Sequence, residues 1–321
     1  MKKWMEPQKS GQIRVVLFLL LVIGCPYFIT MRISGKADRG TVSFLEKEKR
    51  EDYRVLLSEG GEQKTLPLEE YILGVIPAYL SGEEIEADKA MAVLVRTYLY
   101  NQMVKKKTTI LSAEELFLTY LSAEERKILW EGDFTENYQR VQKAVSDTAE
   151  EVLVIGEGEE KQVVYPYFHT LSAGCTRGRE DASYLKEAVC KEDKTADGFL
   201  SLLVFQKEET LDKLAVLGYR QTEADFSEIR CEYGKEPYIE RVILGDWSAS
   251  AEDFQKTFGL RSTAFEIEAY RDGIRILTRG CGLGYGASLH MIQEFAVQGK
   301  SYQEILAVFF SAEVGNFQIS E

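Results

Sequence analysis

Positive charge is what this sequence is short of. Its 321 residues carry 39 Lys and Arg against 52 Asp and Glu, for a formal net charge of −13. Residues 1–14 hold Lys2, Lys3, Lys9 and Arg14 against Glu6, a net +3, which leaves −16 on the remainder. That net negative remainder argues against nucleic acid as a partner, whose phosphates call for clustered cations. No Cys-x-x-Cys pair occurs, which removes the common zinc-ribbon and dithiol motifs. G-x-G-x-x-G is also missing: the glycine-rich stretch at residues 280–286 has glycine at every second position and follows a hairpin, so a nucleotide loop is excluded by its context. Core-forming residues are plentiful, at 45% hydrophobic, and suffice for one large core or two smaller ones.

One long apolar run exists. Residues 15–31, VVLFLLLVIGCPYFITM, are 17 uncharged positions behind the basic tail. That length is near the short limit for a membrane span, and the preceding cations predict the N-terminus inside and the bulk of the chain outside. A cleaved signal peptide is the plainer reading, but no small-residue cleavage site follows. Val22-Ile23-Gly24-Cys25 resembles a lipoprotein box, against which stand Pro26 and the apolar run continuing to Met31. The expectation is therefore a basic tail at 1–14, a transmembrane anchor at 15–31, a charged linker at 32–52 and an extracytoplasmic domain at 53–321. Four cysteines lie beyond the span, Cys175, Cys190, Cys231 and Cys281. Four allow three disulfide pairings, and sequence does not choose among them.

The domain reads as α+β, antiparallel hairpins with helices packed around them, in two lobes enclosing a groove. Residues 66–100 organise it. Two helices meet there at Ser81-Gly82, and the second carries an apolar stripe too wide for a surface helix. Ser112-x-x-Glu115 and Ser122-x-x-Glu125 read as capping boxes, and Ser250-x-x-Asp253 opens a later helix. Hairpins are predicted around Gly60-Gly61, between residues 151–156 and 162–169, and around Asp272-Gly273, a dipeptide that takes φ > 0 readily.

The phrases LEEYILGV and EADKAMAVLVRTYLY, with HTLSAG at residues 169–174, resemble the sporulation stage II protein D (SpoIID) family and the related amidase enhancers of Gram-positive walls. The resemblance implies a sporulation protein of the cell wall, of the kind that cuts peptide-free glycan strands as a lytic transglycosylase. Its acid would be a glutamate eight residues after the tyrosine of LEEY. Counting from Tyr71, that place is Tyr79. A phenol, with a reference pKa of about 10, is a poor acid and a worse base near neutrality. The inter-helix loop is about one residue short of the family pattern, so a displaced carboxylate, Glu83, is the alternative acid. Against it, Glu83, Glu84 and Glu86 at a helix start are more simply dipole partners.

The glycine-rich stretch diverges likewise. The family's histidine between two glycines is Leu283, and its Met-Ser-Gln or Leu-Ser-Gln is Ala287-Ser288-Leu289. His169 and Ser172 remain. The groove candidates are thus Tyr79, Arg96, His169, Ser172, Leu283 and Ser288, with Arg96 equally readable as a partner of a carboxylate such as Glu70. The glycines at 280–286 allow close approach by a polymer or form a tight turn packed under the next helix. No cofactor is required. Zinc on His169, Cys175 and Cys190, with Asp181 beside them, is the one metal the resemblance suggests. Three functions follow: a degenerate enzyme that binds glycan strands, an active transglycosylase using Glu83, or a module assisting another wall hydrolase.

Overall fold

The structure, a computed structural model, describes residues 53–59 and 61–319. The expected tail, anchor and linker lie outside the described residues, and among those described no helix is long and apolar enough to cross a membrane. Contacts divide the chain after Arg54, and the account below concerns the second part.

Strands β1 (Arg54–Glu59) and β2 (Glu62–Pro67) form the first hairpin, and β3 (Ile110–Ser112) joins it in the order β2-β1-β3. Helix α1 (Leu68–Tyr79) follows directly, and α2 (Ile85–Lys106) begins after a five-residue loop at 80–84. Burial of α2 runs from Ala87 to Tyr100 with only Lys89 emerging, so the helix is wrapped on all sides as its wide stripe predicts. Lys105 and Lys106 sit at its negative end, and Lys107 turns left-handed to stop it.

Helix α3 (Ala123–Trp130) opens on the predicted capping box. Ser122 Oγ accepts from Glu125 N at 3.2 Å while the Glu125 carboxylate accepts from Ser122 N at 2.7 Å. The box expected at Ser112 does not form. Residues 113–115 make only a 3₁₀ turn, too short to leave orphan N–H groups worth capping, and Glu115 pairs with Lys106 instead. Helix α4 (Phe134–Asp147) then packs on α2 and leads to β4 (Glu151–Ile155).

The hairpin partner of β4 is shorter than predicted. β5 covers only Gln162–Val163, because the chain turns at Tyr165–Tyr167 around Pro166, which has no N–H to give a ladder. Extended structure resumes as β6 (Phe168–His169) in a different sheet.

Residues 200–279 make an excursion with its own core. It holds β7 (Leu200–Phe205), α5 (Lys207–Val216), β8 (Arg230–Tyr233), β9 (Ile239–Leu244), β10 (Trp247–Ser250), α6 (Ala251–Phe258), β11 (Phe265–Tyr270) and β12 (Gly273–Arg279). Two antiparallel sheets result, ordered β10-β9-β8 and β11-β12-β7. Phe205, Phe254, Phe258, Phe265, Ile274 and Ile276 fill the space between them and the helices, and the rings of Phe254 and Phe258 stack at 4.1 Å. Each such side chain contributes roughly 1.5–3 kcal/mol by leaving water. Ser250 caps α6 as predicted, accepting from Asp253 N at 3.1 Å. The β11–β12 turn differs in detail: Arg271, not the Asp-Gly pair, takes the left-handed φ of 57°. Gly273 is needed for another reason, since a Cβ there would lie 2.0 Å from the Phe205 carbonyl oxygen.

The excursion closes on itself, because Leu200 at the start of β7 pairs with Arg279 at the end of β12. The chain on either side therefore runs on together. β13 (Ala287–Ser288) pairs in parallel with β6, matching Ser288 to His169, and α7 (Leu289–Val297) starts there. Helix α8 (Tyr302–Phe309) and β14 (Glu313–Asn316), on the free edge of β4, complete an α+β fold.

Candidate functional site

The β6–β13 pairing brings together the two stretches that the sequence singles out, residues 169–176 and 280–290. A tightly fitted glycine turn makes this pairing close. Gly282 and Gly286 have φ of 123° and 70°, and a Cβ would fall 2.4 Å from His169 Cβ at the first and 1.9 Å from the Tyr167 carbonyl oxygen at the second. Of the two readings of these glycines, the packed turn is the one found: their missing side chains admit the chain's own backbone and His169.

At the centre lies a carboxylate that the sequence reading does not single out. Asp193 is fully buried. Its Oδ2 accepts from the Ser172 backbone N–H at 2.8 Å, and its Oδ1 accepts from Ser288 Oγ at 3.0 Å and faces His290 Nδ1 at 3.2 Å. Burial raises the Asp193 carboxyl above the ordinary carboxylate range, and the hydrogen bonds from Ser172 and Ser288 and the nearby His290 only partly oppose that. Yet Asp193 reaches no solvent, and its oxygens are occupied by protein groups. It can orient neighbours but cannot itself touch a polymer.

Ser172 and Ser288 are likewise wholly buried. Ser288 is the N-cap of α7, accepting from Met291 N at 3.4 Å while donating to Asp193, so the carboxylate is tied to that helix. Ser172 Oγ accepts from Gly174 N at 3.1 Å. Both serines build the site rather than line it. His290, on the first turn of α7, keeps 28% of its side chain exposed, and its Nε2 lies 3.9 Å from Glu294. It escapes the sequence reading although it is one of two histidines in the chain.

The other histidine, His169, is buried, with Nδ1 donating to the Tyr285 carbonyl at 3.0 Å and Nε2 left without a partner. Desolvation, with Arg177 adding a smaller push, lowers its pKa to about 4, against the opposing hydrogen bond to Tyr285. The thiols named beside it do not converge on it. Cys175 Sγ approaches the Glu236 carbonyl at 3.6 Å and Cys190 Sγ the Ala188 carbonyl at 3.7 Å, while Asp181 is held bidentately by Arg179. Burial pushes the Cys190 thiol up to about 12, opposite to what a metal ligand requires. Among the described residues no three His, Cys, Asp or Glu side chains gather to hold a metal, and Cys175, Cys190, Cys231 and Cys281 are free thiols.

Tyr79 ends α1, half-buried. Its hydroxyl accepts from Thr119 N at 2.9 Å, and its ring sits edge-on to Phe168 at 5.6 Å, next to His169. Glu83 is exposed in the loop that follows. That loop meets α7, since a Cβ on Gly82 would stand 3.3 Å from Gln293 Oε1. Tyr79, the loop, β6 and the start of α7 therefore share one neighbourhood. Leu283 is half-buried, and its carbonyl accepts from Arg177 Nε at 2.8 Å. A cleft of about 410 Å³ opens beside the same region, lined among others by Gly174, Cys175, Lys194 and Arg279.

Arg96 does not belong to this neighbourhood. It is fully buried and bonds Glu69, not Glu70, through Nε at 2.9 Å and Nη2 at 2.7 Å, with the Val145 and Glu151 carbonyls accepting at 3.3 and 3.2 Å. Glu69 lies one position before the predicted partner because helix α1 turns that face toward α2. Arg96 is scaffold.

A family model described as SpoIID, stage II sporulation protein, matches residues 59–155, the part that holds α1, the loop and α2. Stage II sporulation protein D of Bacillus amyloliquefaciens is 28% identical over 262 residues, covering 77% of this chain and 73% of that protein. Its namesake in Bacillus subtilis is 26% identical over 270 residues, covering 80% and 76%. These alignments extend well beyond the segment matched by the family model. The chain is thus similar to the stage II sporulation protein D (SpoIID) family, through the family model at residues 59–155 and at 26–28% identity to these two relatives over most of its length.

Proposed function

We propose that this chain is a membrane-anchored sporulation protein of the outer membrane face, held by residues 15–31, that takes hold of peptide-free glycan strands of peptidoglycan. Its cutting is weakened because a phenol stands where a glutamate is expected. One observation supports the reading: Tyr79, the residue that the count from Tyr71 reaches, ends α1 with its hydroxyl engaged by Thr119 N and its ring on Phe168 of β6. Glycosidic cleavage needs a proton for the departing oxygen, usually from a carboxyl whose pKa is raised by burial. A phenol cannot supply it near neutrality. The strand lies, in this reading, along the neighbourhood formed by Tyr79, the α1–α2 loop and the exposed edge of α7.

Co-sedimentation of the full-length protein with purified peptide-free glycan strands tests this directly. Saturable retention is expected, with few anhydro ends, and the Tyr79→Glu variant should release at least tenfold more of them. Absence of retention contradicts the proposal. Stimulation of an added amidase without retention favours instead the module that assists another hydrolase.

A further inference from the structure

We propose that His290, oriented by Asp193, is a proton-transfer residue that replaces the missing glutamate. This rests on the glycan reading above. Three observations carry it. The Nδ1–Oδ1 contact of 3.2 Å fixes the ring, because a carboxylate beside Nδ1 keeps the proton there and leaves Nε2, 3.9 Å from Glu294, as the nitrogen available for transfer. Asp193 cannot rotate to release it, since the Ser172 N–H and the Ser288 hydroxyl hold both oxygens. And the side chain keeps 28% of its surface exposed, on the helix whose Gln293 faces Gly82 of the loop where the acid is expected.

The chemistry balances without water or cofactor. The imidazolium gives its Nε2 proton to the glycosidic oxygen as the C1–O bond breaks, and the C6 hydroxyl oxygen of the same sugar bonds to C1. The hydroxyl proton then passes to the neutral Nε2, which restores the donor and leaves a 1,6-anhydro end. His290 is thus the catalytic residue and Asp193 a positioning residue. Asp193 and Glu294 are the charged groups placed against the ring.

The test uses the full-length protein and peptide-free glycan strands, reading anhydro ends against time. The wild type should form them slowly. His290→Gln, which can still bond Asp193 and so keeps the fold, should lose about 10²-fold in kcat with KM within about twofold, the range for a general acid. His290→Gly should be rescued by added imidazole, which a structural role would not allow. Asp193→Asn should lower kcat about tenfold or more while KM holds. His290→Gln cutting at the wild-type rate, or His290→Gly indifferent to imidazole, overturns the proposal. So does a wild type that retains strands but yields no anhydro ends, and this outcome leaves the binding reading standing. A wild type that retains no strands overturns both.

Discussion

Arg96 and Asp193 are both wholly out of solvent, and they are held in opposite ways. Arg96 is met by the Glu69 carboxylate and two backbone carbonyls, all contributed by the helices and strand that wrap it. Its carboxylate partner, Glu69, keeps 38% of its side chain exposed. Asp193 is met by Ser172, Ser288 and His290, and that network continues outward through an imidazole that is open to solvent, beside a second, buried histidine with one nitrogen unpartnered. Burial alone therefore does not separate structure from chemistry, and neither does a path to solvent, since both networks have one. The outermost partner does: the Arg96 network ends on a carboxylate held by the guanidinium, the Asp193 network on an imidazole that can both give and take a proton.

The largest expected effect lies on the Arg96 side. Glu69→Ala strands a buried guanidinium and should cost about 3–5 kcal/mol in urea unfolding, the usual penalty for removing one partner of a buried pair. Strand retention near the unfolding-free condition should be unchanged. A loss of retention in a variant that is still folded would break the comparison by bringing Arg96 into the site.

Next comes acid. His169 has a folded pKa near 4 against an ordinary 6.5, so between these values the unfolded chain binds the extra proton. The sign follows: His169 stability is fully present above about pH 6.5 and is lost as pH falls toward 4, amounting to about 3 kcal/mol. Denaturation at pH 7 and pH 4.5 should show this loss in the wild type and a flatter response in His169→Asn. Asp193 works the other way. Its raised pKa means the folded carboxyl takes up a proton more readily than the unfolded one, so its burial weighs against the fold at neutral pH and is relieved as pH falls into the carboxylate range.

Asp193→Asn comes third. An amide keeps the acceptor for Ser288 but turns a donor toward the Ser172 N–H, so the unfolding free energy should fall by about 1–3 kcal/mol, as for an unsatisfied buried polar group. Retention should survive. Smallest is Ser288→Ala, which removes the α7 cap and should cost about 1 kcal/mol. Equal costs for the Asp193 and Glu69 variants, with neither touching anhydro-end formation, would erase the distinction between the two clusters.

Much of the fold is legible in the sequence because its signals are local. Ser122 and Glu125 cap their helix, Ser250 caps another, and the apolar width of α2 predicts its complete burial. Ser112 fails because the helix it should cap never extends past one turn. The site is legible only halfway. His169, Ser172 and Ser288 are found through resemblance, and β6–β13 pairing joins them. Asp193 lies in a stretch with no periodicity, and its partners are 21, 95 and 97 residues away, distances that no spacing rule encodes. His290 follows Leu289, one of the positions where the family pattern is lost, and attention to that loss passes over it. The scarcity of histidine is the signal that would have found it.

Because the chain has two histidines, their ring signals can be followed individually by NMR as a peptide-free glycan oligosaccharide is added to the full-length protein. The account predicts a saturable shift of the His290 ring, far larger than that of the enclosed His169. Saturable binding with the His290 ring unmoved would contradict it.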